Sequence, residues 1–153
     1  MKRTRAIEIL TDAGIPHEIR EFKAKEFTAE EAAAGVGMPL DQVYKTLVAQ
    51  GERGVVMAVI PGSGSLSLRK LANVVGEKRM EMANVADLQR LTGYLKGGVS
   101  PLGSKRSYPV YIDESAILHE RISVSAGQRG LQIVLSADDL ARAADAAFAD
   151  LAE

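Results

Sequence analysis

Apolar positions along the chain fall into two periods, one helical and one alternating. Ala6, Ile7, Leu10 and Ala13 recur at helical spacing, and Gly14 stands where a left-handed cap belongs. Ile15-Pro16 then stops that helix. His17 to Phe22 is too polar for a central strand and reads as an edge strand or a loop. Thr28-Ala29-Glu30-Glu31 has the form of a capping box, opening a helix that runs through Ala32-Ala33-Ala34 and ends at Gly35. Pro39 can open a short helical turn through Gln42. Val43 to Gln50 and Val55 to Ile60 are strand-like, and Gly51-Glu52-Arg53-Gly54 between them makes a hairpin the simplest reading.

Further along, Leu68, Leu71, Ala72 and Val75 form a helical stripe between Ser67 as N-cap and Gly76. Asn84 with Asp87 starts another helix, ending near Thr92-Gly93. Tyr94 to Lys105 is glycine-rich and has no period. Strands are expected at Val110 to Asp113, Ile122 to Ser125 and Leu131 to Leu135, with Gly127-Gln128-Arg129-Gly130 turning between the last two. Ser136 caps a final helix from Ala137 to about Ala152. Strands and helices intermingle without a βαβ alternation, so the expected fold is a mixed α/β sheet in one domain, residues 1–153.

Composition narrows the chemistry. With 153 residues, 19 Lys+Arg against 20 Asp+Glu and a net charge of −1, the chain does not coat nucleic acid by bulk charge. Contact with one end of an RNA stays open, with Lys96, Lys105, Arg106 and Arg129 as the few candidate phosphate ligands. The absence of Cys removes thiolate nucleophiles and cysteine-based metal sites, and two histidines, His17 and His119, make no His-rich centre. No metal and no cofactor are expected. The longest apolar run, Val55 to Ile60, is far short of the ~20 residues of a membrane span. The basic start Met1-Lys2-Arg3 is followed by Glu8 and Asp12, unlike a secretory signal. A soluble cytoplasmic protein is expected, and a monomer, for want of an unpaired apolar stripe.

Three segments could carry chemistry. In Val43-Tyr44-Lys45-Thr46-Leu47 the two-residue period puts Lys45 on one face with Val43 and Leu47. Its ammonium either lines a pocket or snorkels to water from an edge strand. Gly97 and Gly98, followed by Ser100, form a loop that could approach a ligand closely and offer N–H donors to an oxyanion, or be an ordinary surface loop. Ser125 ends a strand and Arg129 sits in the turn beyond; they could hold a polar or phosphate group, or be turn chemistry alone. No Gly-x-Ser-x-Gly, His-Glu-x-x-His or Walker loop is present.

Taken in order, Asp41-Gln42-Val43-Tyr44-Lys45-Thr46-Leu47, then Thr92 to Gly103 (Thr-Gly-Tyr-Leu-Lys-Gly-Gly-Val-Ser-Pro-Leu-Gly), then Val124-Ser125-Ala126-Gly127-Gln128-Arg129-Gly130-Leu131 resemble the YbaK family of aminoacyl-tRNA deacylases. These are free-standing relatives of the editing domain of bacterial prolyl-tRNA synthetase. The resemblance implies a mixed, partly barrel-like sheet flanked by helices. It implies hydrolysis of the ester joining a wrong amino acid to the 3′ end of tRNA, with Cys-tRNA(Pro) as the substrate of one branch. Partners would be the aminoacyl-tRNA acceptor end and, for that branch, prolyl-tRNA synthetase. Carried over, Lys45 is the essential lysine; Thr46, Gly98 and Ser125 line the pocket, with Phe22 and Phe27 near its mouth. Phe22 and Gln132 depart from the Cys branch, which tends to have a tyrosine and an acidic residue there. The departures bear on which amino acid is accepted. A deacylase of other specificity, such as for alanine, and a non-catalytic binder of mischarged tRNA are the alternatives.

Overall fold

The computed structural model describes residues 3–153; Met1 and Lys2 of the basic N-terminus lie outside the described residues. Five α-helices and eight strands intermingle along the described chain. α1 (Arg5–Asp12) is capped by Thr4, whose hydroxyl accepts from the Ile7 N–H, and it buries Ala6, Ile7 and Leu10. The polar segment after Pro16 forms β1 (Glu18–Glu21), an edge strand as expected.

α2 (Ala29–Val36) begins at the Thr28 capping box. It does not end at Gly35. That glycine lies inside the helix, where a Cβ would collide with the Phe22 side chain. The cap falls to Gly37, whose φ of 73° is left-handed. Gly35 is therefore small for packing, not for turning.

β2 (Tyr44–Gly51) and β3 (Gly54–Pro61) form the expected antiparallel hairpin, with Lys45 opposite Ile60. Every residue of β3 from Val56 to Ile60 is buried, and the two-residue period splits them. Met57 and Val59 enter the main core, while Val56, Ala58 and Ile60 pack against α3 (Leu68–Val75). β4 (Glu81–Met82) is a short strand that the sequence pattern does not reveal. A 3-10 turn leads into α4 (Leu88–Thr92), and β5 (Val110–Asp113) follows the glycine loop.

β6 (Ile122–Ser125) and β7 (Leu131–Leu135) pair antiparallel as expected. The last helix departs from expectation. α5 covers Ala137–Ala144 only, because Asp145 takes a left-handed φ of 51°. The chain then forms β8 (Ala147–Ala149), parallel to β5. Asp113 anchors this tail, its Oδ1 accepting from the N–H groups of Leu151 and Ala152 at 2.9 Å each.

The strands form two sheets, ordered β1-β7-β6 and β4-β2-β3-β5-β8. They do not close into a barrel. One parallel bridge, Val43 with Ser123, joins them at a seam. Between the sheets lies the main core, with Tyr44, Met57, Ile122, Ile133 and Leu140. On the outer face of the smaller sheet, α2 packs Ala32, Ala33 and Val36 with Phe22 and Val43. The result is a mixed α/β fold flanked by helices.

Candidate functional site

The seam between the sheets opens into a cavity of about 250 Å³. β2 lines one wall from Val43 to Val48. The edge of β2 is covered at Val43 by Ser123 and at Val48 by Ala83, whose N–H donates to the Val48 carbonyl at 2.9 Å. Between those contacts no strand pairs with the edge at Thr46. The opposite walls are α2 (Ala29, Ala32), Ser125 and Gln132 of the smaller sheet, the segment Met82 to Leu88, and the start of the glycine loop.

Lys45 lies on this wall and is half-buried. Its ammonium makes no ion pair and no hydrogen bond among the described residues. Thr46 Oγ1, next along the strand, is buried and has no hydrogen-bond partner. An unpaired buried hydroxyl costs about 1–3 kcal/mol, and a ligand that bonds to it removes that cost.

Phe27, on the cavity wall, is held by a tight turn. The Glu31 carboxylate accepts from the N–H groups of Lys25, Glu26 and Thr28 at 3.1–3.2 Å. These bonds, that from Thr28 first, hold the Glu31 carboxyl below the usual glutamate range. The tight turn they close leaves Phe27 at a left-handed φ of 58°, a costly conformation for an aromatic residue. Phe22 meets the Phe27 ring edge-on at 6.1 Å, and the Arg129 guanidinium lies 5.8 Å from its centroid.

Arg129 also donates from Nε to the Lys96 carbonyl at 2.7 Å, tying its turn to the glycine loop. Gly97 has φ 87°, and a Cβ there would approach the Phe27 Cβ at 3.0 Å. Gly98 spends its N–H on the Leu95 carbonyl at 2.9 Å, so that donor closes a turn.

Of the residues singled out from the sequence, Lys45, Thr46, Phe27, Gly97 and Ser125 meet in this one cavity. Phe22, Gly98, Ser100 and Arg129 are not on its walls. Phe22 backs Phe27, and Gly98 packs against the Arg129 turn. Ser100 is fully buried, with its hydroxyl accepting from the Leu102 N–H at 3.2 Å. His17 and His119 are outside the walls as well.

Gln132, noted in the sequence only as a departure from the Cys branch, lines the cavity. It is 6% exposed, and its Oε1 accepts from the Ser123 hydroxyl at 2.6 Å. Its amide nitrogen has no partner among the described residues. A lone polar side chain in the buried run Leu131 to Leu135 was the available signal, the same signal that marks Lys45.

Residues 24–143 match the aminoacyl-tRNA editing domain family. The chain belongs to that family. Lys45, Thr46 and every other wall residue of the cavity fall inside the matched span. Among editing-domain relatives, a candidate Cys-tRNA(Pro)/Cys-tRNA(Cys) deacylase, EbsC of Enterococcus faecalis, is 38% identical over 98% of this chain and 93% of its own. A proline–tRNA ligase of Desulforamulus reducens is 32% identical over 61% of this chain, which corresponds to 18% of the ligase. Among solved structures, a candidate trans-editing enzyme for prolyl-tRNA synthetase superposes with a TM-score of 0.89 at 30% identity, covering 97% of this chain and 95% of that one. That superposition extends beyond residues 24–143, to 97% of the chain. No helix among the described residues is long and apolar enough to cross a membrane.

Proposed function

We propose that this protein is a trans-acting aminoacyl-tRNA deacylase that hydrolyses the ester on the 3′-terminal adenosine of mischarged tRNA(Pro), with Cys-tRNA(Pro) or a related misacylated form as substrate. The observation that carries this reading is that two successive residues at the open edge of β2 both line one cavity, Lys45 without an ion pair and Thr46 with a buried, unpartnered hydroxyl. The family and the identity to EbsC support the same reaction.

An aminoacyl ester is already activated, so the site has to position it and stabilise negative charge on its carbonyl oxygen. Lys45 supplies a fixed cation beside the carbonyl or the 3′-terminal phosphate. Thr46 and the free amide nitrogen of Gln132 hydrogen-bond the aminoacyl group. Since the Gly98 N–H is engaged, the oxyanion donors in the loop are the N–H groups of Gly97 and Val99, which have no acceptor among the described residues. Phe27 closes the mouth. The nucleophile is a bound water or, for a cysteinyl ester, the substrate's own thiol. Either attack breaks the acyl–oxygen bond, and the ribose 3′ oxygen leaves with a proton.

The neutral Gln132 amide in the wall bears on side-chain selection, whereas Phe22 acts only through Phe27. The protein works as a single cytoplasmic editing domain and a monomer, beside prolyl-tRNA synthetase and without metal or cofactor. Single-turnover assays on cysteinyl- and alanyl-tRNA(Pro) test this. Ester loss confined to the cysteinyl form supports thiol assistance, and comparable rates on both assign attack to water. Binding of the mischarged tRNA without ester loss would reduce the protein to a non-catalytic binder.

A further inference from the structure

A second hollow, of about 330 Å³, shares no lining residue with the cavity. Arg5, Lys105 and Arg106 line it, and none of the residues around it is acidic. All three cations are exposed, and none makes an ion pair or a side-chain hydrogen bond among the described residues. The chain as a whole carries a charge of −1, so three unpaired cations in one hollow are a local excess.

The convergence is built into the backbone. Gly103 has φ 73°, and a Cβ there would lie 2.7 Å from Tyr94 Oη and 2.9 Å from both Arg5 Cβ and Ala6 N. Only glycine lets the loop seat this closely on the start of α1. The Lys105 N–H then donates to the Thr92 carbonyl at 2.8 Å, and the Ser104 hydroxyl to the Arg106 carbonyl at 2.6 Å. These contacts hold the two loop cations beside Arg5, a hundred residues away in sequence. Three like charges held together repel one another, and an anion in the hollow offsets that repulsion.

We propose that this hollow binds a phosphodiester of the tRNA backbone, away from the 3′ end that enters the cavity. The proposal rests on the deacylase reading above. Exposed cations hold a free phosphate weakly. A polyanion tethered by its aminoacyl end presents its next phosphates at high effective concentration, which suits an open site. Recognition is by charge, so the hollow adds affinity without reading sequence.

The test compares wild type with the triple variant Arg5→Ala/Lys105→Ala/Arg106→Ala. Uncharged tRNA(Pro) is titrated across a salt series, and deacylation of a short 3′-aminoacylated CCA trinucleotide is measured in parallel. In the variant, tRNA binding should weaken by ~10-fold at low salt, and the log K against log salt slope should become shallower by about 2, at roughly 0.7–0.9 per lost contact. The trinucleotide should be hydrolysed at the wild-type rate. Unchanged tRNA binding and slope, in a preparation that still hydrolyses the ester, would overturn the hollow and leave the deacylase standing. A matching loss on the trinucleotide would also overturn it, by placing the effect in the cavity. A wild type that neither binds tRNA nor hydrolyses the ester would remove both. If the triple variant melts early, Arg106→Ala alone should still shift the slope by about 0.7–0.9.

Discussion

Tyr44 and Thr46 lie on the same face of β2, yet the first ends in a closed chain of hydrogen bonds and the second in none. The Tyr44 hydroxyl meets Ser115 Oγ at 2.8 Å, and that hydroxyl donates to Asp113. Asp113, 4% exposed, also takes the N–H groups of Ser115, Leu151 and Ala152. Every group in that chain is engaged with another part of the fold. Burial alone would push the Asp113 carboxyl up, but these donors outweigh it and hold the group below the usual aspartate range. Burial raises the Tyr44 phenol, although its bond to Ser115 opposes the shift. Lys45 and Thr46 are just as firmly placed by the hairpin, and their polar ends are left open. A closed cluster stabilises the fold; an open one in a cavity is kept for something that arrives.

The contrast makes separable predictions. The largest effect belongs to Lys45→Ala: deacylation should fall by ~10²–10³, about 3–4 kcal/mol of transition-state stabilisation. Its melting temperature should stay near wild type, because no partner charge is stranded. Lys45→Arg should recover little, since a planar guanidinium does not replace a compact ammonium. Rate and melt are read on the same preparation. A wild-type rate in Lys45→Ala removes the open cluster from the mechanism.

Asp113→Ala should do the reverse. It strands the N–H groups of Ser115, Leu151 and Ala152 in a buried place, at about 3 kcal/mol of stability. Asp113 itself is not on the cavity wall, and neither Lys45 nor Thr46 bonds to it, so the folded fraction should deacylate normally. Urea unfolding with activity normalised to folded protein checks both halves. If activity per folded molecule collapses, the two clusters are not separate.

Acid should act on the closed cluster. The Asp113 carboxyl is depressed in the folded state, so its contribution is present above the ordinary aspartate range, near pH 4. It is lost as the pH falls through the lower folded value. Glu18 and Glu31 are depressed as well, the first by Arg20 and Arg121. The difference between wild type and Asp113→Asn isolates the Asp113 share. That difference should narrow below about pH 4. A constant difference down to pH 2 would contradict the assignment.

The smallest effect is expected at Thr46→Val, which keeps the shape and deletes the unpartnered hydroxyl. Stability should be unchanged or rise by up to about 1 kcal/mol, while kcat/KM falls several-fold. A clear loss of stability would mean that the hydroxyl has a partner in the fold.

How much of this could be read beforehand depends on whether the cause is local. Lys45 stands out because a charged residue interrupts an alternating strand, and Thr28 with Glu31 spells its own cap. Gln132 breaks its strand in the same way, but without a charge the pattern alone does not mark it; only the family resemblance ties it to the choice of amino acid. The end of α2 was misplaced because Gly35 is small for the sake of Phe22, which only the fold brings near. The C-terminal tail reads as helix to about Ala152, but pairing with β5 and anchoring by Asp113 prevail over that propensity. The open edge at Thr46 depends on where β4 stops, and the meeting of Arg5 with Lys105 on the seating of Gly103. Neither leaves a trace in local pattern.

The account rests on the aminoacyl end of tRNA entering the cavity at Lys45 and Thr46. A thermal melt with a non-hydrolysable analogue, adenosine carrying an amide-linked amino acid at its 3′ position, asks this directly. At about 100 times the dissociation constant, binding stabilises the folded state by ~2.7 kcal/mol. Wild type should show that upward shift in melting temperature; at the same concentration Lys45→Ala should show little of it, and Thr46→Val a stabilisation smaller by about 1 kcal/mol. An equal shift in all three proteins would place the ligand elsewhere and contradict the account.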